Sequence, residues 1–249
     1  FLKKARDVVS GAIPDSSLSQ AQAQFQYEGS QFVAELVGNG RHSLDCCAAP
    51  GGKTAVVLFN NPEAELLACD IHPTRLATMR RRLAGMDADD RIEYRVIDAA
   101  KLAGIGPFDR ILCDVPCTGT GTLARNPEIR HRLQPHELVR QAERQRAILL
   151  SALRLLAPGG RLLYATCSLE PEENEAVVEA CLASAEISPP NLRRIDLRVE
   201  FDRLEQQGIV QGGAVAELRA TGFRDGYLRT LPGMHSCDGF FAALIERSK

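Results

Sequence analysis

From residue 28 onward, short apolar runs alternate with longer amphipathic stretches. Runs at 43–47, 66–71, 92–97, 109–114 and 161–166 have the length and continuity of buried strands. Helical spacing fills the gaps, at 53–59, 73–84, about 135–157 and 171–184. Punctuation agrees with this. Pro73 opens one helix and Gly85 stops it, while Pro158-Gly159-Gly160 closes the long one. An earlier helix at about 28–38 ends at Gly38-Asn39-Gly40. The last third is less regular and finishes in Gly239-Phe240-Phe241-Ala242-Ala243-Leu244-Ile245, which predicts a closing strand. Residues 1–25 are polar and irregular.

Strands separated by helices predict an α/β fold, with a parallel sheet covered on both faces. Ligands of such folds bind beyond the carboxyl ends of the strands, where the winding reverses. Every distinctive motif of this chain directly follows a predicted strand.

Composition narrows the class. The 249 residues, 45% hydrophobic and 25% charged, suit one large domain, with or without a small appendage. No apolar run approaches the roughly 18 residues of a membrane span, and the first residues, Phe1-Leu2-Lys3-Lys4, offer no h-region of useful length. The chain opens on Phe1, not Met, so a true start further upstream is expected. The eight Cys form no CxxC pair, which leaves zinc ribbons and thioredoxin-like couples without support, and no metal is expected. Cys46, Cys69 and Cys113 lie inside strand-like runs and read as small core residues. Free thiols without a signal peptide point to a reducing, cytoplasmic setting.

A net charge of −2 argues against a non-specific nucleic-acid coat. The distribution is more telling: residues 121–160 hold seven Arg against three Glu. The planar guanidinium fork suits phosphate, although such a run is equally well a solvated helix face.

Three motifs carry chemistry. Asp45-Cys46-Cys47-Ala48-Ala49-Pro50-Gly51-Gly52-Lys53-Thr54 is a strand end, a turn of small residues and a helix start. Small residues let a ligand approach the backbone, and a helix start offers free N–H groups. A phosphate-binding P-loop is disfavoured, because its first Gly would fall on Cys47. Asp70 and Asp98 end the next two strands, where an acid can hold a ribose diol or merely cap a helix. Together on one rim they favour an adenosine-bearing cofactor. Asp114-Val115-Pro116-Cys117 and Thr166-Cys167-Ser168 then follow the fourth and fifth strands. In the usual winding those strands are neighbours, about 4.8 Å apart, so both thiols can flank one small planar substrate.

The ordered set resembles the Sun/Fmu-type (RsmB-like) RNA cytosine-5 methyltransferases, which depend on S-adenosylmethionine, over roughly residues 24–247. The carrying segments are Cys47 to Lys53, Asp114 to Cys117, Arg125-Asn126-Pro127-Glu128-Ile129-Arg130, Ala165 to Ser168 with Pro171-Glu172-Glu173-Asn174-Glu175, and Asp238-Gly239-Phe240-Phe241. Gln26-Tyr27 departs from the Gln-Asp often found in the family.

The resemblance implies a Rossmann-like, doubly wound methyltransferase fold, with a mostly parallel seven-stranded sheet and an antiparallel closing strand. It implies a catalytic domain over 26–249, preceded by a polar segment or the remnant of an RNA-binding domain at 1–25. Cys167 is the implied nucleophile, Cys117 the residue assisting release, and Asp114 a group facing the base. Cys47, Ala48, Ala49, Pro50, Gly51, Gly52, Lys53, Asp70, Arg75, Asp98 and Asp114 would surround the cofactor. Arg125, Arg130 and Arg132 would hold RNA, with ribosomal RNA favoured over transfer RNA. Other readings are a DNA cytosine-5 enzyme, an amino-group or small-molecule methylator, and a silent RNA-binding protein in ribosome assembly.

Overall fold

The computed structural model describes residues 28–84, 89–184, 191–210 and 213–249. The 1–25 segment, Gln26-Tyr27, the boundary between residues 25 and 26, and Gly85 lie outside the described residues. Five parallel strands form the body of the sheet: β1 (His42–Asp45), β2 (Glu65–Asp70), β3 (Ile92–Val96), β4 (Phe108–Asp114) and β5 (Leu156–Thr166). Antiparallel strands complete it: β6 (Leu192–Ile195), β7 (Phe223–Arg224), β8 (Tyr227–Thr230) and β9 (Phe240–Arg247). The order is β3-β2-β1-β4-β5-β9-β8-β7, with β6 pairing β9 beyond the end of β8. β6 and β8 thus share one edge of β9, which gives the seven expected positions across the sheet plus the two-residue β7.

The helices are α1 (Glu28–Glu35), α2 (Gly52–Asn60), α3 (Pro73–Leu83), α4 (Ile129–Arg132), α5 (Pro135–Leu153), α6 (Glu175–Leu182), α7 (Leu197–Gln206) and α8 (Gly213–Thr221). Strand alternation sorts them onto two faces. Leu66 and Ala68 of β2 pack in one core with residues of α1, α2, α3, α7 and α8. Leu67 and Cys69 point the other way, into a core shared with α5 and α6. Cys46, Cys69 and Cys113 are fully buried, as their strand positions predict.

Two predicted boundaries move. The long helix stops at Leu153, because Leu156 already pairs with Phe108 and Leu155 accepts the Phe108 N–H at 2.8 Å. Pro158-Gly159-Gly160 therefore lies within β5, at a register shift, with Gly159 at φ +74°. The predicted helix at 171–184 splits into a single 3₁₀ turn, Pro171–Glu173, and α6. The break falls at Asn174, whose side chain is committed elsewhere: its Oδ1 accepts from Thr166 at 2.6 Å and its Nδ2 donates to Ser168 O at 3.0 Å.

The winding reverses between β1 and β4, whose ends pair through Asp45 and Leu112. Every predicted chemical motif sits at the carboxyl ends around this reversal.

Candidate active site

The chain leaves β1 at Asp45 and crosses to α2 through Cys46 to Gly51. Ala48 N donates to Cys69 O at 2.8 Å, tying this turn to β2. The Ala49–Pro50 peptide is cis, and Gly51 has φ +100°, a conformation that requires glycine. Arg75 of α3 locks the turn from outside. Its Nη2 donates to Ala49 O at 2.6 Å, and its Nη1 lies 3.6 Å from the Asp70 carboxylate. Arg75 therefore holds the turn in shape.

Asp70 is the last residue of β2, and its Oδ1 accepts the His72 N–H at 2.8 Å. Asp98 lies two residues beyond β3 and accepts from Ala100 N at 3.1 Å, capping a short 3₁₀ turn. The capping role and the cleft position coexist, since Asp98 also lines the cleft described below.

Asp114 ends β4 in register with Ala165 of β5. Its Oδ2 accepts from Lys53 Nζ at 2.7 Å, so the first helix start and the fourth strand end share an ion pair. Thr54 Oγ1 donates to Asp45 Oδ2 at 2.7 Å, while Asp45 Oδ1 is buried without a hydrogen bond. Burial, with a smaller push from Asp114, raises the Asp45 carboxyl to about 7.

The adjacency of β4 and β5 brings the two loop cysteines together. Cys117 Sγ and Cys167 Sγ are 3.4 Å apart, and both thiols are half-buried. They are not equivalent. The hydrogen bond from Cys117, the Lys53 charge and a backbone N–H draw the Cys167 thiol below its ordinary range, against burial and the Asp114 charge. The same bond, burial and the Glu173 carboxylate push Cys117 well above it. These directions favour charge on Cys167 over Cys117.

Glu173 holds the Cys117 loop. It is fully buried and accepts from Thr118 N at 2.9 Å, Thr118 Oγ1 at 2.5 Å and Gln145 Nε2 at 2.9 Å. Gln145 also donates to Pro116 O at 2.9 Å. Behind Cys167, Gly121 N donates to Cys167 O at 2.9 Å and Gly239 N to Gly121 O at 2.9 Å. A Cβ on Gly121 would collide with Gly239 O and with Cys167 O, the latter at 2.8 Å, so the three backbones touch directly.

These residues enclose a cleft of about 400 Å³, within the size range of small-molecule sites. Cys47, Ala49, Pro50, Lys53, Asp70, Arg75, Asp98, Asp114, Cys117 and Cys167 all line it. Phe240 completes one wall, its ring centroid 5.8 Å from Lys53 Nζ. Arg125 lines the cleft and is ion-paired with Asp238. Arg130 and Arg132 do not reach it; both are exposed, and Arg132 faces Glu128 at 3.8 Å across one helical turn. Arg144 of α5 stands on the rim instead. Sequence reasoning misses Asp45, Gln145, Glu173 and Phe240 as site residues. Glu173 and Phe240 are visible there only as members of recurring segments. Gln145 reads as one more polar position on a solvated helix. Among the described residues, no group of acidic, His or Cys side chains is placed to hold a metal. No helix there is long and apolar enough to cross a membrane.

Comparison with known proteins gives the same direction throughout. The chain is 34% identical to a ribosomal RNA small subunit methyltransferase B of Vibrio cholerae, over 84% of this chain and 42% of that protein. It spans about half the length of the curated relatives it matches. Among solved structures, PH0851 superposes with a TM-score of 0.77 at 30% identity, covering 96% of this chain and 50% of its own. NSun6 from Pyrococcus horikoshii, solved with the S-adenosylmethionine analogue SFG, superposes with a TM-score of 0.73 at 25% identity, covering 96% and 57%. Residues 35–246 match the family model described as 16S rRNA methyltransferase RsmB/F, and the chain belongs to that family.

Proposed function

We propose that this chain transfers a methyl group from S-adenosylmethionine to carbon 5 of a cytosine in RNA, ribosomal RNA of the small subunit being favoured. The observation that carries this reading is the pair of sulfurs, 3.4 Å apart, on the same cleft as the 47–53 turn.

The residues present suit that cofactor. Cys47, Ala49, Pro50 and Lys53 of the turn at the start of α2 line the cleft. Asp70 and Asp98 present carboxylates on the same rim, where an adenosine's ribose hydroxyls would donate. When bound, the cofactor supplies an electrophilic methyl group.

Carbon 5 of cytosine is too weak a nucleophile to take that methyl unaided. The Cys167 thiolate adds to carbon 6, forming an S–C bond and making carbon 5 electron-rich. Carbon 5 then takes the methyl, whose bonding electrons stay with the donor sulfur as a neutral thioether. A base removes the carbon 5 proton, the C–H electrons restore the carbon 5–carbon 6 double bond, and the electrons of the S–C bond return to the Cys167 sulfur. The Lys53–Asp114 pair, 2.7 Å across on the same cleft, is assigned to stabilise the charge that develops on the ring, and Lys53 also favours the thiolate. Cys117 donates its S–H to the departing Cys167 sulfur and so eases release. Both sulfurs lie in a cleft, so the target base must leave its stack, which favours loop or single-stranded RNA.

Incubation with methyl-labelled cofactor and small-subunit ribosomal RNA, followed by nucleoside analysis, tests this. Label in 5-methylcytosine supports the reading. Label in another nucleoside, or transfer to transfer RNA alone, contradicts its chemistry or its substrate.

A further inference from the structure

A second concavity opens at the opposite edge of the sheet, where β4 and β5 begin and β9 ends. Its volume is about 620 Å³, and Arg110, Arg161, Arg193, Arg203 and Arg247 line it. Carboxylates offset only part of this charge. Glu200 takes Arg161 at 2.6 Å and Arg203 at 2.7 Å, and Glu246 takes Arg161 at 2.8 Å and Arg193 at 2.6 Å. Asp109, the remaining acid near Arg110, already accepts the backbone N–H groups of Arg41 and His42, at 3.1 and 3.0 Å. Five guanidinium groups thus face three carboxylates.

Arg110 is the most telling of the five. Its Nη1 donates to Asp109 O at 2.7 Å, but its Nε is buried without a hydrogen-bond partner. Burial and the neighbouring Arg161 charge both work against the Arg110 cation. A buried donor left unsatisfied is destabilising, the more so when it is charged. An anion in the basin offsets the repulsion between the Arg110 and Arg161 charges. Guanidinium forks are the side chains best matched to phosphate oxygens.

We propose that this basin is a second phosphate-binding site that takes phosphodiester groups of the RNA at a distance from the target cytosine. The proposal rests on the RNA reading above. Four residue steps along β4 separate Arg110 from Asp114, about 13 Å of strand. RNA that fills both sites must therefore pass around the sheet, which selects a folded RNA over a short single strand.

The test compares the wild type with Arg193→Gln/Arg203→Gln in RNA binding across a range of salt. The double variant should bind about tenfold more weakly at low salt, and its plot of log affinity against log salt should flatten by about 1–2. Cofactor affinity and turnover at saturating RNA should not change. Unchanged affinity and slope would overturn the proposal. Arg193→Gln alone, at a largely exposed side chain, flattens the slope by about 0.7–0.9 and serves if the double variant does not fold. Inorganic pyrophosphate forms a separate arm. If it raises the melting temperature of the wild type but not of the double variant, while the RNA slopes are identical, the basin takes small phosphates and the RNA assignment fails. Failure of methyl transfer by the wild type would instead strike the catalytic reading, since the salt slopes are read without turnover.

Discussion

Cys117 Sγ lies 3.4 Å from Cys167 Sγ, and Lys53 favours charge on the second of these sulfurs while Glu173 disfavours it on the first. One hydrogen-bonded pair of identical side chains is thereby given a direction. After the hydrogen bond between the sulfurs themselves, the asymmetry draws on Lys53 of α2 and on Glu173 in the turn after β5.

Lys53→Met tests that asymmetry. Removing the ammonium raises the Cys167 thiol, so the fraction present as thiolate falls at any given pH below the new value. The rising limb of kcat/KM against pH should move to higher pH. The position of the limb is diagnostic, because a mere loss of cofactor affinity lowers its height and leaves it in place.

Glu173→Ala should be severe without touching substrate. It strands Thr118 N and takes one of two partners from Thr118 Oγ1 and from Gln145 Nε2, all of which donate to this buried carboxylate. A loss of at least about 3 kcal/mol in denaturant unfolding is expected. Glu173→Gln keeps one acceptor oxygen and should lose less.

Asp45 gives stability a pH dependence. Its carboxyl is raised in the fold, from an ordinary 3.8 to about 7. The folded state therefore holds a proton that the unfolded chain has released between those values. This group's contribution to stability is complete below about pH 3.8, declines as pH rises toward 7, and is level above that. Asp45→Asn removes the decline, because the amide oxygen still accepts from Thr54. Relative to the wild type, the variant should gain up to about 4 kcal/mol at about pH 8 and much less near pH 4. Chemical unfolding at the two pH values reads the difference.

Much of the site is legible in the sequence, for physical reasons. Parallel strands put their following loops on one edge, so strand-end residues as distant as Cys47, Asp70, Asp114 and Cys167 have to converge. What the sequence hides depends on side-chain contacts between elements. Gln145 is buried because it reaches Pro116 O, which periodicity along α5 cannot reveal. Arg130 and Arg132 are close to Cys117 along the chain, yet the short α4 turns them toward solvent. β6, β7 and β8 are four, two and four residues long, too short to leave a pattern along the chain.

The most direct test is whether RNA becomes trapped on the enzyme. With cofactor and a substrate RNA, Cys117→Ala should accumulate a denaturant-resistant protein–RNA adduct, as release slows by about 10- to 100-fold, the worth of one hydrogen bond to a charged sulfur. The Cys117→Ala/Cys167→Ala double variant should form none. An adduct that survives loss of Cys167, or its absence in Cys117→Ala with active cofactor binding, would contradict the assignment of the two sulfurs.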